Sequence, residues 1–105
     1  MNPKVGEIWL GDLGIAGKTR PVLVVSREDP DPPRVLFIYV PLTTQFRDSR
    51  YEVLLEAKHF LRQPSAANVQ GIGSLPRPRF EAKLGSLSEE ELQKVKGAIR
   101  FAMAL

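Results

Sequence analysis

The sequence of 105 residues contains no cysteine and a single histidine, His59. The lack of cysteine excludes disulfides, thiol nucleophiles and zinc–thiolate sites, and it fits a reducing compartment, so we expect a cytoplasmic protein. The sequence indicates no Ser–His–Asp arrangement around the single histidine, and no acidic cluster has metal-ligand spacing. We interpret His59, which lies beside Phe60 in an expected loop, as an incidental surface or packing residue.

Long apolar runs are also missing. No stretch approaches the ~20 apolar residues of a membrane span. The N-terminus, MNPKVGEIWLG, carries an acid at Glu7 and does not have the apolar core of a signal peptide. The glycines of GIG and GIAGK match neither the P-loop nor the dinucleotide fingerprint. We therefore expect no membrane association, no metal and no organic cofactor.

The composition is that of one ordinary globular domain, which we predict to span residues 1–105. The chain is 43% hydrophobic and 26% charged, with a net charge of +3. Basic residues gather in FRDSR and PRPRFEAK, whereas acids gather in REDPD and SEEE. A mild basic excess of this kind favours a polyanionic partner, although a solvated surface explains each single cluster equally well.

Apolar and β-branched stretches predict four or five strands in the first three quarters of the chain. We expect GIAGK and PRPRF to be turns, the proline-rich REDPDPPR to be a loop, and Pro41 to end or bulge its strand. The predicted strands are VGEIWLGDL, RPVLVVS, VLFIYVPLTT, YEVLLEA (with Glu52 and Glu56 facing outward) and AANVQGIGSL, whose glycines favour close approach of another backbone or a ligand.

The C-terminal segment predicts a long helix. Ser88 and Glu91 have the spacing of a capping box at its start. The apolar residues that follow fall on one helical face: Leu92, Val95, Ile99 and Ala102. Gly97 weakens this helix unless something packs closely against it. Together with the strands, this predicts an α+β fold whose antiparallel sheet is strongly bent and barrel-like.

Arginine and hydroxyl groups stand at the ends of two neighbouring predicted strands. Arg20 opens RPVLVVS, and Thr43 lies in PLTTQ, which closes the next strand. If the two strands pair as an antiparallel hairpin, Arg20 and Thr43 lie side by side at one edge of the sheet. A guanidinium fork and a hydroxyl can bind the same phosphate. The alternative is that Thr43 and Thr44 only terminate a strand.

The order of these motifs resembles the MazF/PemK family of toxin endoribonucleases over almost the whole chain. The resemblance is carried by RPVLVV and PLTTQ at the right distance, followed by the helix start LGSLSEEEL. The matching stretches, in order, are GEIWLGDL, GKTRPVLVVS, VPLTTQ, YEVLL, NVQGIGSL and KLGSLSEEELQKVKGAI. The resemblance implies a small SH3-like (CcdB/MazF-type) antiparallel β-barrel with a C-terminal helix, and a homodimer. It also implies metal-independent cleavage of single-stranded RNA at short sequences, and inhibition by a cognate antitoxin protein.

The family's catalytic residues fall on this sequence at two positions. Arg20 corresponds to the catalytic arginine before the proline, and Thr43 to the catalytic threonine. For the substrate, we predict contacts to unstacked bases and to backbone phosphates by further polar residues. These are Lys18, Thr19, Thr44, Gln45, Arg47, Asn68, Gln70, Ser74 and Arg77, with Lys18 and Arg77 on the phosphates.

Two departures from the family pattern affect the site. The loop before Arg20 is shortened to GIAGK and contains no acid, so no general base is assigned. QGIG stands where many relatives have DQIR. Two alternatives therefore remain. One is an RNA- or antitoxin-binding module with little turnover. The other is a CcdB-like topoisomerase poison, which the position of Trp9, the single tryptophan, in the expected core makes less favoured.

Overall fold

The computed structural model describes residues 1–14 and 18–105. The predicted turn GIAGK falls largely in the interval 15–17, outside the described residues. The elements are β1 (Glu7–Asp12), β2 (Thr19–Val24), β3 (Leu36–Thr43), β4 (Glu52–Leu54), β5 (Ala66–Asn68), β6 (Gly73–Pro76), β7 (Phe80–Ser86) and α1 (Glu89–Met103), with 3₁₀ turns at Val69–Gly71 and Arg77–Arg79. The predicted α+β class is confirmed.

All the strand pairs of the described residues are antiparallel. The order is β4-β5-β3-β2-β1-β7, and β6 pairs with the first half of β3 on the same edge as β5. No pairing within the described ranges joins β4 to β7, so the sheet is open and the expected barrel is only an approximation. The curved sheet instead wraps around two apolar clusters.

The sheet has more strands than the sequence predicts, for two local reasons. First, β7 was not predicted, because most of FEAKLGS is exposed or half-buried and its pairing with β1 is interrupted by register shifts. Second, AANVQGIGSL forms two strands separated by a 3₁₀ turn. Asn68 Oδ1 accepts a hydrogen bond from Gln70 N at 3.1 Å, which draws the backbone away from the ladder.

Pro41 does not end or bulge β3, contrary to the sequence prediction. Val25 N donates a hydrogen bond to Ile38 O, so the backbone polar groups of Ile38 point toward β2. The backbone groups of residues three positions apart point to opposite edges of a strand. The nitrogen of Pro41 therefore faces the other edge, between the part of β3 that pairs with β6 and the part that pairs with β5. Since no ladder bond is required there, β3 continues to Thr43.

The second half of β2, residues 22–24, is buried on both faces, which explains its uninterrupted apolar sequence. Leu23 lies in the cluster between the sheet and α1, with Ile8, Leu42, Val69 and Val95 among its members. On the opposite face, Val22 and Val24 pack with Trp9, Leu75 and Phe80. Trp9 is 3% exposed, which confirms its predicted place in the core.

A buried carboxylate supports Trp9. Glu7 Oε1 accepts hydrogen bonds from the Trp9 indole Nε1 at 3.0 Å and from Lys4 N at 2.8 Å. Its other oxygen pairs with Lys83 Nζ at 2.8 Å. Burial raises the pKa of Glu7, but the hydrogen bonds from Lys83, Trp9 and Lys4 outweigh burial and leave the pKa below its ordinary value.

The predicted cap of α1 is confirmed. Ser88 Oγ accepts a hydrogen bond from Glu91 N, and the Glu91 carboxylate accepts one from Ser88 N, each at 3.2 Å. The helix buries Leu92, Val95 and Ala98 against the sheet.

Replacing Gly97 by alanine is expected to raise the free energy of unfolding by about 0.5–1 kcal/mol. Gly97 lies in the interior of α1, and a Cβ at this position meets no atom within 4 Å. Alanine therefore restricts the unfolded chain without a clash in the folded one. Urea denaturation measures the change. The wild type and Gly97→Ala are compared in the same oligomeric state. A lower free energy of unfolding in Gly97→Ala would contradict the open surroundings of Gly97.

Candidate active site

Arg20 and Thr43 belong to adjacent strands at the same end of the sheet. The β2–β3 register pairs Val24 with Tyr39 and Val22 with Pro41. The pairing ends at Val22 and Pro41, and its extension by two residues would set Arg20 opposite Thr43. Residues directly opposite in an antiparallel pair lie on the same face with neighbouring Cβ atoms. The antiparallel hairpin predicted from the sequence is confirmed, and Arg20 is exposed at its open end.

The Thr43 side chain is oriented by the chain that follows it. Its hydroxyl oxygen accepts a hydrogen bond from Gln45 N at 3.0 Å and donates to Gln45 O at 3.3 Å. Two backbone contacts to one hydroxyl fix its position at the exit of β3. The side chain is half-buried, so the oxygen remains within reach of a ligand.

Five of the predicted substrate-site residues line one cavity of about 390 Å³, which we call the polar cavity. They come from the end of β3, the β3–β4 loop and the 3₁₀ turn after β5. Its lining consists of Thr43, Gln45, Arg47, Asn68 and Gln70, together with Ser49, Tyr51 and Glu52. The last three were not predicted as site residues. The one feature of the sequence that could have indicated these three residues is that they follow PLTTQ after a short loop.

Lys18 and the first two residues of β2, Thr19 and Arg20, do not line the polar cavity. Lys18, Thr19 and Arg20 are consecutive exposed residues, and Thr19 lies opposite Asp12 of β1. Thr44 is exposed directly after Thr43. Successive side chains of a strand point to opposite faces of the sheet, so Thr19 and Arg20 do not share a face. Arg20 is the one on the face that also carries Thr43.

Two predicted residues lie elsewhere. Ser74 of β6 is opposite Ile38 and lines a different cavity, with Lys96 and Arg100 of α1. Arg77 donates from Nε to Met1 O at 2.9 Å and from Nη1 to Phe80 O at 2.8 Å. These contacts favour a role for Arg77 in holding the N-terminus to the 3₁₀ turn, and they leave the phosphate contact predicted for it without support from the geometry.

Metal ligands and the histidine do not contribute to this site. Within residues 1–14 and 18–105, no group of three or more His, Cys, Asp or Glu side chains is placed to hold a metal ion. His59 is exposed, and its ring packs edge-on against Phe60 with centroids 5.4 Å apart. No helix in the part of the chain that the structure describes is long and apolar enough to cross a membrane.

The fold is an open antiparallel sheet with one C-terminal helix, and it carries an exposed arginine at the start of β2, an oriented threonine at the end of β3 and a polar cavity next to that threonine. Residues 4–103 match the family model of the PemK-like, MazF-like toxin of type II toxin-antitoxin system. Because this match covers nearly the whole chain, the protein belongs to the PemK/MazF toxin family.

Individual relatives agree with this membership. The chain is 28% identical over 102 residues to the probable endoribonuclease MazF5 of Mycobacterium tuberculosis (strain ATCC 25618 / H37Rv), covering 96% of this chain and 93% of that protein. It superposes on the Mycobacterium tuberculosis toxin MazF-mt6 with a TM-score of 0.82 and 28% identity, covering 94% and 97% of the two chains. An endoribonuclease solved with its cognate antitoxin from a mycobacterial species has the same fold, with a TM-score of 0.85, 24% identity and coverage of 98% and 96%.

Proposed function

We propose that this protein is the toxin of a type II toxin–antitoxin pair and a metal-independent endoribonuclease that cleaves single-stranded RNA at selected sequences. The observation that carries the proposal is the β2–β3 register, which brings Arg20 of one strand to the Thr43 end of the next. Family membership and the relative named as a probable endoribonuclease support it.

RNA supplies its own nucleophile in this reaction. The 2′-hydroxyl loses its proton and attacks the adjacent phosphorus, the bond from phosphorus to the 5′-oxygen breaks, and that oxygen takes up a proton. The products are a 2′,3′-cyclic phosphate and a 5′-hydroxyl. Because nucleophile and phosphorus are tethered, much of the rate advantage comes from holding them in line.

Two side chains have defined tasks in this scheme. The Arg20 guanidinium stabilises the negative charge that develops on the phosphorane oxygens. The Thr43 hydroxyl still accepts from Gln45 N but turns its one hydrogen from Gln45 O to a phosphate oxygen, and so orients the scissile phosphate. Lys18, which is exposed two residues before Arg20, extends the positive charge along the RNA backbone. The polar cavity next to Thr43 then receives an unstacked base.

The partners follow from the family and from one structural relative that holds its cognate antitoxin. We infer a homodimer in the cytoplasm and an acidic antitoxin that binds the basic surface. Residues 1–105 form the single domain of this unit. Sedimentation at micromolar concentration tests the dimer, and a monomer at that concentration would contradict it.

The decisive experiment incubates the purified protein with a long single-stranded RNA in EDTA and maps the new 5′ ends. We expect cuts at a short common sequence, products ending in 2′,3′-cyclic phosphate, and no cut where the nucleotide before the scissile bond is 2′-deoxy. RNA binding without any cleavage would contradict the proposed enzyme activity and favour an RNA-binding module. Inhibition of a topoisomerase by a protein that leaves RNA intact would favour a CcdB-like activity.

Replacing Thr43 by valine is expected to lower kcat/KM for RNA cleavage by about 10- to 100-fold. Valine keeps the shape but removes the hydroxyl that bonds Gln45 and the phosphate, and a hydrogen bond to a charged group contributes about 1.5–3 kcal/mol. Cleavage of a fluorescent RNA measures the loss. The control is Ser86→Ala, which removes an exposed hydroxyl from β7, outside the predicted site and the polar cavity, and which we expect to change the rate less than twofold. Equal losses of rate in the two variants would contradict the role proposed for the Thr43 hydroxyl.

A further inference from the structure

Glu52 is the one acidic side chain among the described residues that line the polar cavity. In the β4–β5 pair it lies opposite Asn68, and in the β3–β5 pair Thr43 lies opposite Ala66. Asn68 and Ala66 are two residues apart on one strand, so both point to the same face of the sheet. Glu52 and Thr43 therefore share that face, two strands apart, and the sequence had indicated only that Glu52 points outward.

The Glu52 carboxylate is held by one of its two oxygens. Oε1 accepts hydrogen bonds from Arg47 N at 2.8 Å and from Ser49 Oγ at 3.3 Å. Within the described residues, no hydrogen bond or ion pair reaches Oε2. No buried side-chain oxygen of this part of the chain lacks a partner, so Oε2 is open to solvent. The β3–β4 loop thus orients the carboxylate and leaves one oxygen for a ligand.

We propose that Glu52 determines which base the RNA places in the polar cavity, by selecting adenine, cytosine or guanine over uracil. The inference rests on the proposed ribonuclease function and names a specificity residue for it. An ionised carboxylate only accepts hydrogen bonds. Cytosine, adenine and guanine each present an exocyclic amino group to such an acceptor. Uracil has none, and both oxygens that flank its ring N–H are acceptors that the carboxylate repels.

The amides of Asn68 and Gln70 do not impose this choice. Asn68 and Gln70 carry amides, which both donate and accept, so they adapt to any base edge. Asn68 Oδ1 is already engaged by Gln70 N at 3.1 Å, which leaves its amino group to donate. The carboxylate cannot change from acceptor to donor, and its orientation is fixed by Arg47 and Ser49. A hydrogen bond to a charged group corresponds to discrimination of about 10- to 100-fold.

The test uses an RNA library randomised on both sides of a cleavage site, with 5′-end sequencing of the products. For the wild-type protein we expect one position at which uracil is disfavoured by at least about tenfold. Glu52→Gln keeps an oxygen for Arg47 N and presents an amino group where Oε2 was. This variant is therefore expected to lose or reverse the preference at that position and to leave the other positions unchanged.

Asp48→Asn is the matched control, because it removes the same charge from the same loop at an exposed residue that does not line the polar cavity. It is expected to keep the wild-type base preference. Three results would overturn the inference. The first is wild-type cleavage with uracil that is as efficient as with the other bases at every position. The second is a loss of cleavage in Glu52→Gln by one common factor for all four bases. The third is a change of preference in Asp48→Asn equal to that in Glu52→Gln.

Binding to an uncleavable 2′-deoxy-substituted copy of the library separates this inference from the proposed function. A protein that binds with the predicted preference but never cleaves contradicts the nuclease and supports the role of Glu52. A protein that cleaves without a preference sensitive to Glu52→Gln contradicts only the role of Glu52. Failure both to bind and to cleave overturns both.

Discussion

Replacing Arg20 by alanine is expected to lower kcat/KM for RNA cleavage by about 10²–10³-fold, the usual loss for a preorganised donor aimed at transition-state charge. The free energy of unfolding should stay within about 0.5 kcal/mol of wild type, the usual range for a surface substitution. Arg20 is exposed, and its side chain makes no hydrogen bond or ion pair to the described part of the chain. Single-turnover cleavage and urea denaturation measure the two quantities on the same preparation.

Two further variants show whether the guanidinium itself is required. Arg20→Lys keeps the charge but loses the planar fork that matches a phosphate, so it should recover only part of the lost rate. Arg34→Ala removes an equally exposed arginine from the proline-rich loop and should cleave RNA at nearly the wild-type rate. Wild-type cleavage by Arg20→Ala would show that the phosphate is bound elsewhere, and equal losses in Arg20→Ala and Arg34→Ala would indicate general electrostatic attraction only.

Arg20, Thr43 and Glu52 divide the proposed reaction between the two parts of one surface. The first two residues stand at strand ends, where we propose that they bind the phosphate on which charge develops during the reaction, and Thr43 also borders the polar cavity. Glu52 stands two strands away from Thr43, in a cavity large enough for a base. A change at the strand ends should therefore act on the rate for every sequence, whereas a change at Glu52 should act on the choice of sequence. Kinetic constants measured on two RNAs that differ in one base separate these effects.

The hairpin that carries the candidate site could be predicted because its determinants are local. Arg20 precedes a proline that can open a strand, and the proline-rich loop between the strands forces the chain to turn back. The cap of α1 was predictable for the same reason, since Ser88 and Glu91 are three residues apart. In both places a short sequence contains all the partners that decide its structure.

The missed strand β7 depends on partners that its own sequence does not reveal. Gly85 is opposite Ile8 in β1, and a Cβ on Gly85 would lie 2.3 Å from the Phe60 ring, so the glycine is required by a distant aromatic residue. Local alternation is weak because the register with β1 shifts twice. The strand is specified by tertiary contacts, and propensity alone does not find it.

The same limit applies to the candidate site. Gln45, Asn68 and Gln70 were predicted from the family motifs and lie together in the polar cavity. The orientation of Glu52 could not be predicted, because it follows from hydrogen bonds to a loop without regular structure. The contacts of Arg77 with Met1 O connect residues 76 positions apart, and no local pattern encodes such a pair.

Glu91 combines the helix cap with a long-range ion pair. Its carboxylate accepts hydrogen bonds from Ser88 and, at 2.9 Å, from Glu56 N, and it pairs with Lys58 Nζ. The Glu91 and Lys58 side chains are 5% and 13% exposed. Burial raises the pKa of Glu91, but the hydrogen bonds from Lys58, Glu56 and Ser88 prevail and lower the pKa below its ordinary value.

Replacing Glu91 by alanine is expected to lower the free energy of unfolding at pH 7 by about 3 kcal/mol, because it leaves the Lys58 ammonium and the Glu56 amide without their partner. A carboxylate whose pKa is depressed by folding stabilises the protein above its unfolded pKa, and this stabilisation is lost as the pH falls through the folded value. The difference between wild type and Glu91→Ala should therefore be full at pH 7 and shrink below pH 4.5, the ordinary value for glutamate.

Urea denaturation at pH 7 and at pH 3 measures this difference, with Glu90→Ala as the control. Glu90 is the preceding residue of α1, and its carboxylate is exposed and 3.9 Å from Lys94. Removing such a surface pair should cost less than about 1 kcal/mol. A Glu91→Ala deficit that is the same at both pH values would assign the stabilisation to the apolar part of the side chain. A deficit that disappears in acid would assign it to the buried charge, which connects α1 to the segment after β4 and so holds the helix against the sheet that carries the candidate site.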